Sequence, residues 1–437
     1  MVHRQDSRGA ELSRPDAAAR HLAKSLLRRG QKKRRSPVRP VLLYGVTVPQ
    51  TAAVLLRGQL AYMREAGWDV HVATSPGRGT DIVKGRESVT VHELPMTREI
   101  SPGADLRALR DWWRLIGELR PAVTNVSTPK AALLGSLAAL ARRVPRRVYL
   151  VRGLRLESER GLRRLILWTM ERITILASTD VLVVSPSLRD ELVFARLAKP
   201  GRLGMIGSGS SNGVQAEEII RAVAEVDRES IRRRLGIPSG AFVVSFIGRL
   251  AADKGINDLV DALARPECAR VHLVTLGDTE DKSVLERLGV LGTRWHSQPW
   301  SDDVSPTLAV SDALCLPTYR EGYPNVVLEA SAAALPVVTT EATGARDSVV
   351  NGQTGFIVGI RDSEALAGRL LDLADSPVLR ADLGRAGQKR VLTEYQPQQL
   401  WRELDLLYKQ PQSSARRPSP HGPGPRRMPS LRETPQD

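Results

Sequence analysis

The chain of 437 residues is 42% hydrophobic and 4% aromatic, which is enough apolar material for two domains. Its formal net charge of +16 lies mostly at the two ends. Residues 1–39 hold 12 Lys/Arg against 3 Asp/Glu, and residues 411–437 hold 5 against 2. Cys268 and Cys315 stand far apart in apolar settings, which excludes a disulfide framework and a cysteine-based zinc site.

Membrane-spanning and secreted classes are also not expected. The best apolar run, residues 165–184, is interrupted by Glu171, Arg172 and Asp180, so it does not read as a transmembrane helix. The polar N-terminus has no apolar h-region, so we expect no signal peptide. A cytoplasmic protein with reduced cysteines is the consistent interpretation.

Both charged ends have the composition of solvated, disordered segments, because they lack the apolar area that offsets ordering. A second interpretation is attraction to an anionic membrane surface, where the cluster at Arg28, Arg29 and residues 32–35 would contribute about 1 kcal/mol per charge. Nucleic acid is a third possible partner, but no interleaved aromatic residues or binding fold supports it, so we expect none.

Residues 40 to about 212 alternate strand and helix signals, a pattern typical of a parallel sheet with helices on both faces. Residues 46–50 are predicted as the turn after the first strand, and residues 55–65 as the first helix. Residues 106–119 form a second predicted helix, in which helical spacing favours packing roles for Trp112 and Trp113. The predicted strands are 41–44, 70–73, 89–94, 122–126, 148–151, 181–184 and 203–206.

A second alternating series follows Asn212 and Gly213, which accept turn geometry and predict an interdomain hinge. Residues 215–235 are predicted to be helical and exposed, and residues 257–264 form a further helix. The predicted strands of this half are 242–247, 271–276, 294–297, 313–316, 337–340 and 355–358.

The stretch 320–329 joins a predicted buried strand to a predicted helix, the place where open α/β sheets bind ligands. Gly322 allows a ligand to approach the backbone, and Pro324 suits the first helical position. The free N–H groups that follow form an anion site suited to phosphate. Asn325 and Glu329 share one helix face, where a carboxylate would accept hydrogen bonds from neutral hydroxyls such as those of a ribose. The stretch therefore predicts a pocket for a nucleotide diphosphate that carries a hydroxylated group.

The glutamates of this stretch, Glu321 and Glu329, resemble the E-x7-E motif of retaining glycosyltransferases of the GT-B architecture, family 4. The closest group is the capsule and exopolysaccharide transferases that act on polyprenyl-diphosphate-linked sugars. The resemblance covers roughly residues 40 to 410. Further matching segments are 248–255, 336–338 and 351–356 for the family, and 128–131, 151–154 and 210–214 for the group.

The resemblance implies an α/β fold of two doubly wound, Rossmann-like parallel-sheet domains that face each other across a cleft. It also implies that the last helix, for which residues 400–408 are the candidate, crosses back onto the first domain. The predicted divisions are a basic disordered arm at 1–39, an acceptor-binding domain at 40–212, a nucleotide-sugar-binding domain at 213–392, the crossover helix at 393–410, and a disordered basic, proline-rich tail at 411–437.

The resemblance also assigns residue roles. Arg249 and Lys254 would stabilise the charge of the leaving diphosphate, opposite the start of the helix, and Glu321 would contact the transferred sugar. Glu329 would bind the ribose, and the loop at Trp300 would contact the base largely through its backbone. The donor-binding residues implied are Gly248, Trp300, Gly322, Tyr323, Pro324, Asn325, Val326 and Glu329.

The acceptor side is less clearly marked by the sequence. Lys130, Arg152 and Arg155 would line it and suit a diphosphate on a lipid carrier, although scattered surface charge is an equal alternative. Arg152 stands where many relatives have a histidine, and residues 48–51 replace a Gly-Gly turn that many relatives carry. Asp302 and Asp303 could suggest a metal, but the family works without one, so we expect no metal and no cofactor.

The sequence thus predicts a glycosyltransferase whose donor is a UDP-hexose or UDP-N-acetylhexosamine and whose acceptor is a lipid-linked saccharide at the inner face of the plasma membrane. Use of GDP-mannose, or of a small soluble acceptor, is the alternative within the class. A nucleotide-sugar epimerase lacks support, because no histidine–glutamate set lies near Glu321. A non-catalytic nucleotide-sugar-binding scaffold is the alternative from another class.

Overall fold

The computed structural model describes residues 39–77, 79–97, 101–279 and 281–411. These residues form two parallel sheets, of seven and six strands, which confirms the predicted fold class. All thirteen predicted strands are present, with ends within two residues of the prediction. Apart from Arg39 and Pro411, the predictions for the basic arm and the C-terminal tail lie outside the described residues.

The first sheet has the order β3-β2-β1-β4-β5-β6-β7. Because β1 pairs with both β2 and β4, the chain changes direction across the sheet between β1 and β4, and this is the switch point of a doubly wound fold. The strands are β1 (Val41–Gly45), β2 (Asp69–Thr74), β3 (Thr90–Glu93), β4 (Val123–Val126), β5 (Arg146–Val151), β6 (Asp180–Val183) and β7 (Leu203–Met205).

Helices connect these strands on both faces of the sheet. They are α1 (Pro49–Leu55), α2 (Gln59–Glu65), α3 (Thr80–Glu87), α4 (Pro102–Leu119), α5 (Pro129–Ala141), α6 (Gly161–Ala177) and α7 (Pro186–Phe194), with 3-10 turns at Arg155–Ser158 and Pro200–Arg202.

The second sheet repeats the arrangement, with the order β10-β9-β8-β11-β12-β13 and its switch point between β8 and β11. Its strands are β8 (Phe242–Ile247), β9 (Val271–Leu276), β10 (Trp295–Gln298), β11 (Ala313–Leu316), β12 (Val337–Thr340) and β13 (Gly355–Val358). The helices in this half of the chain are α8 (Ala216–Ala224), α9 (Arg228–Arg234), α10 (Ile256–Leu263), α11 (Lys282–Gly289), α12 (Ser305–Val310), α13 (Asn325–Ala332), α14 (Ala345–Ser348), α15 (Ser363–Asp375), α16 (Pro377–Glu394) and α17 (Pro397–Lys409). Three 3-10 turns are Ala252–Lys254, Pro266–Cys268 and Gly292–Arg294.

Helix boundaries differ from the prediction at three places. Pro49 and Gln50 begin α1 instead of forming a turn, and Gly58, with a φ of 75°, separates α1 from α2 within the predicted helix 55–65. The predicted exposed helix 215–235 is two helices, and Arg232 in the second is buried against Asp312. Pro324 is the N-cap of α13 rather than its first residue, since its ψ of 110° is extended.

The two adjacent tryptophans of α4 have different environments. Trp112 is fully buried in the core of the first domain, as the predicted packing role requires. Trp113 is 45% exposed, and the guanidinium of Arg142 lies 3.3 Å from its ring centroid. Neither residue lines the large cavity described below.

The final helix, α17, packs on the first domain although it follows the second in the chain. Its Leu400, Trp401, Leu404 and Tyr408 belong to the buried core around the first sheet. Trp401 donates a hydrogen bond from Nε1 to Oδ1 of Asn212 at 2.7 Å. The two chain passages between the domains therefore lie side by side.

The close approach of these passages requires glycine at position 213. The φ of Gly213 is 67°, and a Cβ there would lie 2.6 Å from the carbonyl oxygen of Tyr395. That oxygen accepts a hydrogen bond from the backbone N–H of Val214 at 3.0 Å.

We predict that Trp401→Ala lowers the free energy of unfolding by about 3–5 kcal/mol, because it leaves a cavity in the core and removes the partner of Asn212. Leu406→Ala, on the exposed side of the same helix, should change it by less than about 0.5 kcal/mol. Urea titrations followed by far-UV circular dichroism measure both. Equal effects of the two substitutions would contradict the docking of α17.

Candidate active site

A cavity of about 490 Å³ lies between the two domains, at the carboxyl ends of the strands. This is the position where open α/β sheets bind ligands. The second domain contributes Phe246, Ile247, Gly248, Lys254, Leu276, residues 300–302, Val304, Leu316, residues 321–326 and Glu329. The first domain contributes Ala53, Val54, Leu55, Arg57, Arg86, Arg152 and Ser211.

Lys254 is held in the cavity by the turn that follows β8. Its ammonium forms an ion pair with the carboxylate of Glu321, and both side chains are at least three-quarters buried. Gly255, with a φ of 72°, allows this turn to press against the end of β11, because a Cβ there would lie 1.8 Å from the carbonyl oxygen of Pro317. Lys254 and Glu321, which the resemblance assigns to the diphosphate and to the transferred sugar, are in direct contact.

Arg249 does not accompany Lys254 into the cavity. Its Nη2 bonds both carboxylate oxygens of Asp253, at 2.9 and 3.0 Å, and its side chain is 58% exposed. The expectation that the two cations together face the start of α13 therefore fails for Arg249 in this conformation. The i,i+4 carboxylate of Asp253 accounts for its direction, and its catalytic role stays a prediction.

The N-terminal end of α13 opens into the same cavity. Its first backbone N–H groups have no partner within the helix, and the helix dipole adds partial positive charge there. Within the described residues, Oδ1 of Asn325 is buried without a hydrogen-bond partner. This oxygen can therefore accept a hydrogen bond from a ligand.

Glu329 lies one helical turn further along α13 and also lines the cavity. Burial raises the pKa of its carboxyl from 4.5 to about 7, and the guanidinium of Arg57 opposes this rise. The arrangement suits a carboxylate that hydrogen-bonds to hydroxyls once a ligand fills the cavity.

The turn before α13 contacts the first domain through backbone atoms. A Cβ on Gly322 would lie 2.1 Å from the carbonyl oxygen of Arg152, and one on Gly344 would lie 2.3 Å from the carbonyl oxygen of Gly322. Ser187 strengthens the contact by donating its N–H to Oδ2 of Asp347 at 2.9 Å. The absence of a side chain at Gly322 is therefore required for the two domains to meet here.

Arg152 is the one predicted acceptor-side residue that reaches the cavity. Its Nε and Nη1 are buried and have no hydrogen-bond partner among the described residues. Burial lowers the pKa of its guanidinium to about 10, against the opposing influence of Tyr408 and Tyr44, so it stays charged at neutral pH. A buried, charged and unsatisfied group beside a cavity is suited to an anionic ligand.

Lys130 and Arg155 lie outside the cavity lining. Lys130 is buried at the start of α5, where its Nζ pairs with Oδ1 of Asp105 at 2.6 Å, and its place on the acceptor side stays a prediction. A buried ammonium needs such a partner. Arg155 begins the 3-10 turn that follows the Arg152 loop, and its role stays a prediction.

Tyr323 and Trp300 show two ways of lining the cavity. The Tyr323 side chain is buried and turned towards the hinge, where its hydroxyl bonds that of Tyr395 at 2.6 Å. Burial raises the pKa of Tyr323 well above its ordinary value. Trp300 is 52% exposed, and its backbone N–H donates a hydrogen bond to Oδ1 of Asp278 at 3.4 Å. The remaining predicted donor residues Gly248, Pro324 and Val326 all line the cavity.

Sequence reasoning missed the cations that α1–α3 supply. Arg57 lies in the break between α1 and α2, and Arg86 on α3 pairs with the buried Glu87 at 2.9 Å. Both line the cavity, but no spacing in the sequence links them to residues 248–329. Only the packing of the two domains brings them together.

Two further observations on the described residues concern metal binding and membrane insertion. No group of three or more histidine, cysteine or acidic residues is placed there to hold a metal ion, and the expectation of no metal or cofactor remains a prediction. None of the helices in these parts of the chain is long and apolar enough to cross a bilayer.

Comparison with known families gives two matches that together span both domains. The profile described as "Glycosyl transferase 4-like domain" matches residues 51–209, and "Glycosyl transferases group 1" matches residues 227–390. The Staphylococcus aureus protein "Capsular polysaccharide biosynthesis glycosyltransferase CapM" is 34% identical over 361 residues, which cover 81% of this chain and 93% of CapM.

Two further proteins resemble the chain more distantly. The Escherichia coli "UDP-Gal:alpha-D-GlcNAc-diphosphoundecaprenol alpha-1,3-galactosyltransferase" is 26% identical over 313 residues, covering 67% of this chain and 77% of that enzyme. The crystal structure of Anabaena Alr3699/HepE in complex with UDP and glucose matches with a TM-score of 0.69 at 18% identity, over 84% of this chain and 98% of that chain. At this identity, the structural match shows the fold alone.

We predict that Gly322→Ala moves the two domains apart and destabilises the protein by about 1–3 kcal/mol, because the new Cβ overlaps the Arg152 carbonyl oxygen. Small-angle X-ray scattering should show a larger radius of gyration. Gly368→Ala is the control, since a Cβ there meets nothing within 4 Å in the middle of α15. An unchanged radius and stability in Gly322→Ala would contradict the close contact.

We also predict that Glu329→Gln stabilises the ligand-free protein more at pH 8 than at pH 4.5. The folded state binds this proton more tightly than the unfolded chain between pH 4.5 and about 7. Stability therefore falls as pH rises through that window, and the penalty is complete above it. Removing the charge should recover about 1–3 kcal/mol at pH 8.

Denaturant titrations at both pH values measure this difference. Glu171, whose pKa burial also raises to about 7, is present in both proteins and cancels in the comparison. Glu217→Gln, at an exposed position in the first turn of α8, controls for the loss of a surface charge. A pH-independent effect of Glu329→Gln would show that the carboxyl is not destabilised by burial.

Proposed function

The chain belongs to the glycosyl transferases group 1 family, and from that premise we propose that it transfers a sugar, with retention of configuration, from a UDP-sugar to a lipid-linked saccharide. The proposed donor is a UDP-hexose or UDP-N-acetylhexosamine, and the proposed pathway is capsule or exopolysaccharide synthesis. The name of the related CapM supports the pathway. The name of the related Escherichia coli galactosyltransferase supports a UDP-sugar and a diphosphate-linked lipid acceptor.

The observation that carries the proposal is that one cavity holds the Lys254 ammonium, the start of α13 and Glu329. Lys254 and the free N–H groups of α13 would bind the two phosphates of the donor. Glu329, one helical turn away, would accept hydrogen bonds from the ribose hydroxyls.

The ion pair of Lys254 with Glu321 suggests how the donor would engage the site. When the diphosphate enters, its oxygens would bind the ammonium, and Glu321 would lie beside the transferred sugar. Negative charge grows on the departing phosphate as the sugar leaves, so Lys254 would stabilise the transition state more than the bound donor.

In the proposed reaction, the bond between the sugar C1 and the diphosphate oxygen breaks as the acceptor oxygen bonds C1 on the same face. The acceptor hydroxyl proton passes to the departing diphosphate. This route requires no enzyme carboxylate to act as the nucleophile. It is supported by the ion pair that already engages the carboxylate of Glu321 with Lys254.

Arg152 supports the proposed acceptor. Its guanidinium is buried, lines the cavity from the first domain and has two nitrogens without partners among the described residues. A guanidinium grips two phosphate oxygens at once, so it suits the diphosphate of a lipid carrier. We further propose that the protein acts at the inner face of the plasma membrane, with its basic arm attracted to anionic lipid.

Incubation of the protein with mixed nucleotide sugars and lipid-linked saccharides tests the function. We expect release of UDP and a lipid-linked product heavier by one hexose or N-acetylhexosamine, detected by mass spectrometry, with the anomeric configuration of the donor retained in its NMR spectrum. Lys254→Ala should lower kcat by about 10²–10³-fold. Lys282→Ala, an exposed lysine on α11, is the matched control.

Each other outcome points to a different function. Release of GDP, or transfer to a soluble acceptor only, would favour the alternative donor or acceptor. Conversion of the donor sugar without an acceptor would indicate an epimerase. Binding of nucleotide sugars with no turnover in the unaltered protein would indicate a scaffold and would overturn the proposal.

A further inference from the structure

Helix α6 presents a row of large apolar side chains to solvent, although it buries two polar residues, Glu171 and Thr174, on its inner face beside Ile175. Leu162, Leu165, Ile166, Ile173 and Leu176 are between 38% and 73% exposed. Their spacing of three, four, eleven and fourteen residues from Leu162 places them in one stripe along the helix. Within the described residues, no other helix exposes as many large hydrophobic side chains.

The inner face of α6 explains why the stripe cannot turn inward. Glu171 is buried there, and its carboxylate accepts a hydrogen bond from the hydroxyl of Tyr149 on β5. Thr174 is also buried on this face, and its hydroxyl bonds the carbonyl oxygen of Met170 at 2.8 Å. Rotating the helix would break the hydrogen bond between the Tyr149 hydroxyl and the Glu171 carboxylate and leave a buried polar group without a partner. This cost keeps the apolar stripe on the outer side of the helix.

Basic side chains border the stripe. Arg160 and Arg163 are exposed at its N-terminal end. Along its flank, Trp168 donates from Nε1 to the carbonyl oxygen of Ala195 at 2.8 Å, which fixes the end of α7 beside α6. Phe194, 79% exposed, adds to the apolar surface there, and Arg196 and Lys199 are exposed just beyond it.

This combination fits the surface of an anionic bilayer. Helices that lie in the membrane interface bury an apolar face among the lipid chains while flanking arginine and lysine residues attract the headgroups. Helix α6 has only 17 residues and contains charged side chains, so it would lie on the membrane rather than span it.

The place of α6 in the fold also fits such a partner. The helix begins just after the loop and 3-10 turn that follow β5, and that loop carries Arg152 into the cavity. The N-terminal end of the stripe, at Leu162, Leu165 and Ile166, is therefore the end nearer the cavity. A lipid surface against the stripe would lie next to the first-domain side of the cavity.

We propose that the stripe on α6, with Phe194 and the bordering basic residues, is the surface by which the protein docks on an anionic membrane. This surface deepens the proposed place at the inner face of the membrane, on which it rests, and it is separate from the transfer reaction because it lies on the outer surface of the first domain. Vesicles that contain no lipid-linked saccharide test it separately from that reaction.

The test is co-sedimentation of the full chain with vesicles of phosphatidylglycerol and phosphatidylethanolamine at physiological salt. Leu165→Glu/Ile173→Glu should lower the partition coefficient by about tenfold or more, because two apolar contacts become charged. The matched control is Leu285→Glu/Val378→Glu, which places the same charges at two exposed apolar positions of the second domain. Vesicle binding of this control should change by less than about twofold. All the proteins keep the same basic arm, so any contribution of the arm to binding cancels in the comparison.

A second measurement does not depend on lost binding. In the Leu162→Cys variant, a polarity-sensitive dye is attached to the new cysteine. The native Cys268 and Cys315 are buried, so the dye should label position 162 alone. Its emission should shift to the blue when anionic vesicles are added, whereas the same dye at Val378→Cys should not respond.

Two results would overturn the proposal. One is unchanged vesicle binding in Leu165→Glu/Ile173→Glu together with no response of the dye. The other is a change of oligomeric state in that variant by light scattering, again with unchanged vesicle binding, which would make the stripe an interface between copies of this chain.

Discussion

The close approach of two backbones at Gly322 determines how the cavity is assembled. Because the carbonyl oxygen of Arg152 occupies the space of a side chain at Gly322, the loop after β5 and the turn after β11 meet directly. This contact sets the start of α13, the Lys254–Glu321 ion pair and the Arg152 guanidinium around one space. Neither domain alone could provide that combination, because each supplies only one wall.

Three polar side chains of the cavity are not fully partnered by the rest of the protein. Two nitrogens of Arg152 are buried without a partner among the described residues, the carboxyl of the partly buried Glu329 has a raised pKa, and Oδ1 of Asn325 accepts no hydrogen bond from the described residues. Polar groups without a partner from the protein are the ones to which a ligand can hydrogen-bond. An anion with nearby hydroxyls would supply partners for all three, which would favour binding of a nucleotide sugar.

The sequence predicted the sheets well because buried parallel strands are continuous apolar runs, such as residues 242–247 and 313–316. It also placed Lys254 and the residues of the 321–329 stretch correctly around one cavity. It did not reveal the local contacts of two predicted cations: Asp253 pairs with the exposed Arg249, and Asp105 pairs with Lys130 inside the first domain. Arg57 and Arg86 could not be predicted, since only domain packing brings them to the cavity.

The two domains share one topology, yet their surfaces differ in a way that suits the second domain to the donor and the first domain to the acceptor. The second domain places an ammonium and a helix terminus on the cavity, which suits the compact diphosphate of a soluble donor. The first domain places a buried guanidinium on the cavity and, on the helix that follows the same loop, an apolar stripe facing outward. An acceptor whose head is a diphosphate and whose tail lies in a bilayer needs both features on one domain. Since only the 3-10 turn Arg155–Ser158 separates α6 from the loop that carries Arg152, one short segment of chain would serve the two ends of such a molecule.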